Sequence, residues 1–268
     1  MTGSTSAATP LAEVPAWVSL VRAPNPGPMT LDGTNTWVLR VPGGDETVVI
    51  DPGPLDEGHL VAVANRAEAG TVVVVATHGH DDHVAGLDRF LALCQPARVW
   101  SPDERELSLA SGLRLTALST PGHTADSISV LVGVDAAPAG SAQALFTGDT
   151  ILGRGTTVVA HPDGDLGDYL DSLHLIQQVG PVPVLPGHGP ALADAGAAAR
   201  FYLDHRLSRL DQVRAARAAG AGTPREVVEI VYAEIDRSLW PAAEWSVRAQ
   251  LAYLDRESQP GSVRLDRP

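Results

Sequence analysis

The sequence predicts an α/β domain followed by a smaller helical one, on three observations. Short β-like runs alternate with helical patterns as far as "PGHGPAL" (186–192); beyond it the β-like runs stop; and several strand ends carry histidine or aspartate beside glycine.

The β-like runs are "TWVLRV" (36–41), "TVVI" (47–50), "TVVVVA" (71–76), "LRLTALS" (113–119), "SISVLVG" (127–133), "QALFTG" (143–148) and "VPVLPG" (182–187). Helical periodicity marks Leu55–Ala69, Val84–Cys94 and Leu166–Val179. "DAAPAGSAQ" (135–143) reads as a small-residue surface connection. Asp194–Ala219 then reads as one long helix, with two more in "TPREVVEIVYAEID" (223–236) and "AEWSVRAQLAYLDRE" (243–257) and a hairpin-like tail at 259–268. Three helices and a hairpin make a winged-helix layout. The expected division is a loose tail over 1–14, a catalytic domain over 15–199 and a winged-helix-like domain over 200–268.

Composition narrows the function. Of 268 residues 44% are hydrophobic, enough for a globular core, and no apolar run approaches the roughly 18 residues a spanning helix needs. The first residues lack the basic start and apolar middle of a signal peptide, so no membrane association and a cytoplasmic location are expected. Cys94, the one cysteine, falls in a helical pattern and reads as a buried structural thiol. Every basic residue is Arg; residues 1–199 hold 8 Arg against 22 Asp and Glu, whereas 200–268 hold 11 against 10. That balance argues against a broadly basic nucleic-acid surface and leaves only local Arg patches.

The stretch "THGHDDH" (77–83) packs five donor side chains directly behind an apolar run. His78 and His80, one residue apart on an extended segment, point to the same side and can grip one ion. Asp82 and His83, where the chain turns into the helix at Val84, can address a second. Later junctions add His123 in "STPGHTADS", Asp149 in "LFTGDT" and His188 in "VLPGHG". Seven donors shared between two ions leave positions open for water, the mark of a catalytic site. His59, His161, His174 and His205 lie outside these motifs and read as surface or packing residues, with His161 the one expected nearest the cleft. Trp240 and Trp245 read as core.

In order and spacing, "THGHDDH", "PGHT", "TGDT" and "PGHG" resemble the T-H-x-H-x-D-H, G-H, G-D and G-H motifs of the metallo-β-lactamase superfamily. "NPGPMTLDGTNTWVL", "GDTILGRGTTVV", "DGDLGDYLDSL" and "YLDHRLSRLDQV" are similar to its β-lactamase-like-protein-2 group. The resemblance implies an αββα sandwich with metals at one sheet edge and a C-terminal winged helix. It implies that His78, His80 and His123 hold one ion, that Asp82, His83 and His188 hold the other, and that Asp149 bridges them. Asp51, in "VVIDPG", would orient a ligand histidine. Two Zn2+ per chain are expected, with Mn2+ or Fe as alternatives.

A water shared between two such ions is hydroxide near neutral pH, so the expected chemistry is hydrolysis, with Asp82 accepting or relaying the proton. The group resemblance implies endoribonuclease action on single-stranded RNA. Against the acidic first 199 residues, the RNA path would run along a local strip of Arg154, Arg206, Arg209 and Arg214, with Arg154, His161 and Arg206 as the expected substrate contacts. A thioesterase of glyoxalase II or acyl-carrier type, on a small ester or thioester, is the alternative; a DNA-binding regulator with a metal-sensing domain is a third. Monomer and homodimer are both compatible with the sequence.

Overall fold

The computed structural model describes residues 9–10, 13–67, 70–135 and 143–258. The expected hairpin tail, most of the 135–143 connection and most of the N-terminal tail lie outside the described residues.

Among the described residues, ten strands form two five-stranded sheets. The first has the order β1 (Val18–Arg22), β2 (Asn35–Leu39), β3 (Glu46–Ile50), β4 (Thr71–Val75), β5 (Ala97–Val99). The second runs β10 (Val184–Pro186), β9 (Gln143–Gly148), β8 (Ile128–Val134), β7 (Leu113–Ser119), β6 (Glu106–Ser108). Pairing is parallel for β3–β4, β4–β5 and β9–β10, and antiparallel elsewhere.

Alternation along the strands explains the layering. In β4, Val73 and Val75 join Trp37, Ile50, Val130 and Phe146 in the core between the sheets. Val72 and Val74 face the other way, onto Leu60 and Val63 of α1 (Glu57–Arg66) and Phe90 of α3 (Leu87–Leu93). Both faces of "TVVVV" are therefore covered, which is why it reads as an unbroken apolar run. In β9, Ala144 and Phe146 point between the sheets, and Leu145 points to α4 (Leu166–Val179) and α5 (Ala195–Ala218). Helices on both outer faces of two packed sheets make the expected αββα sandwich.

The helical tail comprises the rest of α5, α6 (Pro224–Val231) and α7 (Trp240–Glu257). Thr223 caps α6 in a reciprocal box with Glu226. One apolar cluster runs from Leu145 and Tyr169 through Tyr202 and Leu210 to Val227 and Val247, so α5 is packed into both parts of the chain. Residue 199 itself lies inside α5. Trp240 is buried, as expected, but Trp245 is 48% exposed. Cys94 is buried beside Phe90, and burial pushes its thiol pKa up. No described helix is long and apolar enough to cross a membrane.

The helix expected over Val84–Cys94 is two. A single turn, α2 (Asp81–Val84), precedes α3, and the break falls at Gly86, where a Cβ would stand 2.8 Å from the Pro54 carbonyl oxygen. Asp82 and His83 thus sit within a helical turn whose N-cap is His80.

Candidate metal centre

Every donor singled out in the sequence lies at the same end of the sandwich. His78 and His80 leave β4, His123 follows β7, Asp149 follows β9 and His188 follows β10. His78 Nε2 and His123 Nε2 stand 3.0 and 3.1 Å from His80 Nδ1. His188 Nε2 stands 3.2 Å from Asp82 Oδ2 and 3.4 Å from His83 Nε2. Asp149 lies between the two groups, its oxygens 3.8 Å from His123, 3.5 Å from His83 and 3.4 Å from His188. The donor atoms of His78, His80 and His123 fall within 4.8 Å of one another, as do those of Asp82, His83 and His188.

The donor set fits two cations. His123 Nδ1 lies 2.7 Å from the Val158 carbonyl and His83 Nδ1 lies 2.8 Å from Asp51 Oδ2, so each ring donates outward and turns its Nε2 lone pair inward. Asp149 Oδ1 is buried with no hydrogen-bond partner. Converging lone pairs beside an orphaned carboxylate oxygen are what a cation needs.

Glycine makes room for this arrangement by two means. Gly148 takes φ +47°, and a Cβ there would stand 2.4 Å from Thr77 Oγ1. Gly187 needs no unusual φ, but its Cβ would meet Asp149 Oδ1 at 2.6 Å and His83 at 2.7 Å. Gly187→Ala is therefore expected to displace Asp149 or His83 and weaken metal binding about tenfold or more; a metal titration that matches the wild type would refute it.

Asp51 supports the centre from beneath. It has φ 54° at the end of β3. Its Oδ1 accepts from Thr77 N, and its Oδ2 accepts from Thr77 Oγ1 and His83 Nδ1, each at 2.8 Å. Sequence reasoning missed a second support. The Thr34 hydroxyl donates to Asp82 Oδ2 at 3.0 Å and is itself held by Asn25. Both residues lie in "NPGPMTLDGTNT", where no charge or metal-donor pattern signals them.

Without cations, protons balance the carboxylates. Burial disfavours charge on His83, but the Asp149 and Asp51 carboxylates outweigh it and raise its pKa to about 9. Burial likewise opposes charge on His188, and hydrogen bonds to Asp149 and Asp82 raise it to about 10. His78 goes the other way: burial and the His83 charge push it down to about 2. Asp82 is held down to about 2, against burial, by His188 and His83. A cation bound by these groups must displace the protons on His83 and His188. Loading the metal-free protein at pH 7.5 is expected to release close to two protons per chain, and affinity should rise with pH toward 9. Calorimetry in buffers of different ionisation enthalpy measures the release, and a value near zero would contradict this charge balance.

A cavity of about 380 Å³ opens beside the centre. His123 and Asp149 form one wall; Met29, Leu31, Leu152 and Val158 line the sandwich side; Tyr232, Ile235, Leu239 and Ala242 come from the helical tail. Arg154 and Arg206 line it, whereas the half-exposed His161 is not among the lining residues. Arg154 pairs with Asp32 at 2.5 Å. His59 is buried against Thr36, and His174 is exposed. His205, read from sequence as a surface or packing residue, lines the cavity.

Comparison with known proteins identifies the family. Residues 29–117 match the metallo-beta-lactamase superfamily and residues 223–259 the beta-lactamase associated winged helix domain. A beta-lactamase-like protein 2 homolog of Drosophila melanogaster is 30% identical over 274 residues, covering 91% of this chain and 88% of that protein. The chain belongs to the metallo-β-lactamase superfamily. An atrochrysone carboxyl ACP thioesterase of Aspergillus chevalieri is 33% identical over 237 residues, 80% of this chain and 73% of that one. The fold is shared with a metallo-beta-lactamase family protein of Thermus thermophilus, at TM-score 0.70 and 20% identity over 90% of this chain and 94% of that one. The protein is thus a superfamily hydrolase whose His and Asp clusters suit a di-metal site.

Proposed function

We propose that this protein is a two-zinc hydrolase of small acyl esters or thioesters, with the acyl group seated between the sandwich and the winged-helix-like tail. The observation that carries the reading is the cavity: largely apolar, bounded by both parts of the chain and open to His123 and Asp149. Its size falls within the roughly 300–1,000 Å³ of small-molecule pockets. The thioesterase named among the relatives supports the same chemistry.

His78, His80 and His123 would hold one ion, Asp82, His83 and His188 the other, with Asp149 shared. When bound, the two cations would lower the pKa of water toward about 7 and polarise the scissile carbonyl. The cavity wall holds the acyl chain so that its carbonyl lies beside His123 and Asp149. Water oxygen adds to the carbonyl carbon, the C–S bond breaks with its electron pair going to sulfur, and a carboxylate and a thiol result. Asp82 Oδ2 is committed to Thr34, His188 and His83, which leaves Oδ1 to take the water's proton and pass it on.

The RNA reading has less support. Arg206 and Arg209 line the cavity rather than an open surface strip, Arg154 is paired with Asp32, and Arg214 is paired with Asp211 and Glu257. A DNA-reading tail fares no better, because Arg225 of α6 is tied to Glu229 and Glu244. A hydrolysis screen of zinc- and manganese-loaded protein over acyl thioesters, lactones, phosphodiesters and unstructured RNA tests the proposal. Thioester turnover is expected. Cleavage of RNA at low salt with every thioester left intact would replace this reading with the ribonuclease one.

A further inference from the structure

Arg206 is the one buried arginine among the described residues, 3% exposed on α5. Burying a cation costs several kcal/mol unless an anion compensates it, yet no described carboxylate lies within ion-pair distance of this guanidinium. One nitrogen donates to the Thr157 carbonyl, Nε–H is buried without a partner, and the group lies 5.0 Å over the Tyr169 ring. One turn further along α5, Arg209 also lines the cavity. It lies 4.4 Å over the Tyr232 ring and bonds only neutral oxygens, of Gln212 and Val231. The carboxylate that shares this cavity, Asp149, faces the histidine cluster, and cations bound there would neutralise it further.

On the same helix, burial and the charges of both arginines push His205 down to about 4, so its ring is neutral at pH 7. Its Nδ1 is buried and unpartnered, and a buried N–H without an acceptor is rarer than an unused lone pair. The proton therefore belongs on Nε2, which adds a donor to a cavity wall that already carries two cations.

We propose that this arginine corner binds a carboxylate borne by the acyl group, so that the preferred substrates are thioesters of dicarboxylic or similarly acidic acyl groups. The inference rests on the acyl-hydrolase reading and deepens it: the metal end takes the scissile carbonyl, and the Arg206–Arg209 end takes an anion further along the same chain. A hydrogen bond to a charged partner is worth about 1.5–3 kcal/mol, or roughly 10- to 150-fold.

The test compares glutaryl and pentanoyl thioesters of N-acetylcysteamine, which have equal acyl length and no phosphate. The zinc-loaded wild type is expected to favour the glutaryl ester at least about tenfold in kcat/KM, mainly through KM. Arg206→Met should bring the ratio toward one, and Arg206→Lys should retain part of it. Equal rates in the wild type, or a Met variant that loses both substrates in proportion, would overturn the proposal. So would an Arg206-dependent preference for coenzyme A over N-acetylcysteamine esters, which would assign the corner to a carrier phosphate. Should Arg206→Met fail to fold, the wild-type ratio decides. If no thioester is turned over, the acyl-hydrolase reading fails on its own, and calorimetry of glutarate against pentanamide on metal-free protein judges the corner. Binding of glutarate alone upholds the carboxylate site; equal binding or none removes it.

Discussion

Asp149→Ala is expected to lower turnover at least about a thousandfold and to release about one metal ion per chain while leaving the fold intact. The carboxylate stands between the two donor groups, 3.8 Å from His123 on one side and 3.4 Å from His188 on the other. On the two-metal proposal, removing it takes away the carboxylate that would face both cations. Two divalent charges a few ångströms apart then repel without an intervening counter-charge, and the weaker-held one leaves. The fold should survive, because the sheets are held together by the Trp37, Ile50, Val130 and Phe146 core, to which Asp149 does not belong. Metal analysis alongside a thermal melt reads both effects. Retention of two ions with full turnover would show that Asp149 does not bridge.

Much of this site was legible because metal donors are few in kind and must converge. Histidines and aspartates beside glycine at successive strand ends can meet only at a sheet edge, and all seven do. The alternation of strands and helices was legible for the same sort of reason, since runs such as "TVVVV" are buried on both faces and need cover on each, whereas the four-layer arrangement came from the motif resemblance. The short strands β5 and β6 escaped because three-residue edge strands with exposed side chains carry no alternation to read. β1, also at an edge but five residues long and partly buried, was missed as well. The cavity was illegible for a different reason. Leu31, Val158, Tyr232 and Leu239 line it from parts of the chain more than 200 residues apart, and nothing local in any of them marks a shared pocket. His205 illustrates the limit: a lone histidine on a long helix looks like surface until the helix is seen to cross the mouth of the site.

Asp51→Asn should weaken metal binding about 10- to 100-fold and cost about 1–3 kcal/mol of stability, although the residue need touch no metal. Asparagine tolerates the positive φ that Asp51 adopts, so the backbone is not what suffers. The loss lies in charge and acceptors. The Asp51 carboxylate accepts three hydrogen bonds, two from Thr77 and one from His83 Nδ1. An amide offers one oxygen, so its NH2 must confront a donor from Thr77 or from His83. His83 is fully buried and relies on Asp51 both to aim its Nε2 and, after Asp149, to stabilise its charge in the metal-free protein. The sign with pH follows. A histidine whose folded pKa is raised from about 6.5 to about 9 contributes stability fully below pH 6.5, and that contribution disappears as pH rises through 9. In Asp51→Asn the folded pKa falls, the window narrows from its alkaline side, and the deficit against wild type should be larger at pH 6 than at pH 10. Thermal melts of metal-free protein at the two pH values, with a zinc titration at pH 7.5, measure both effects. A variant that binds zinc as the wild type does and melts at the same temperature at pH 6 would leave Asp51 as no more than the cap of the turn at Pro52 and Gly53.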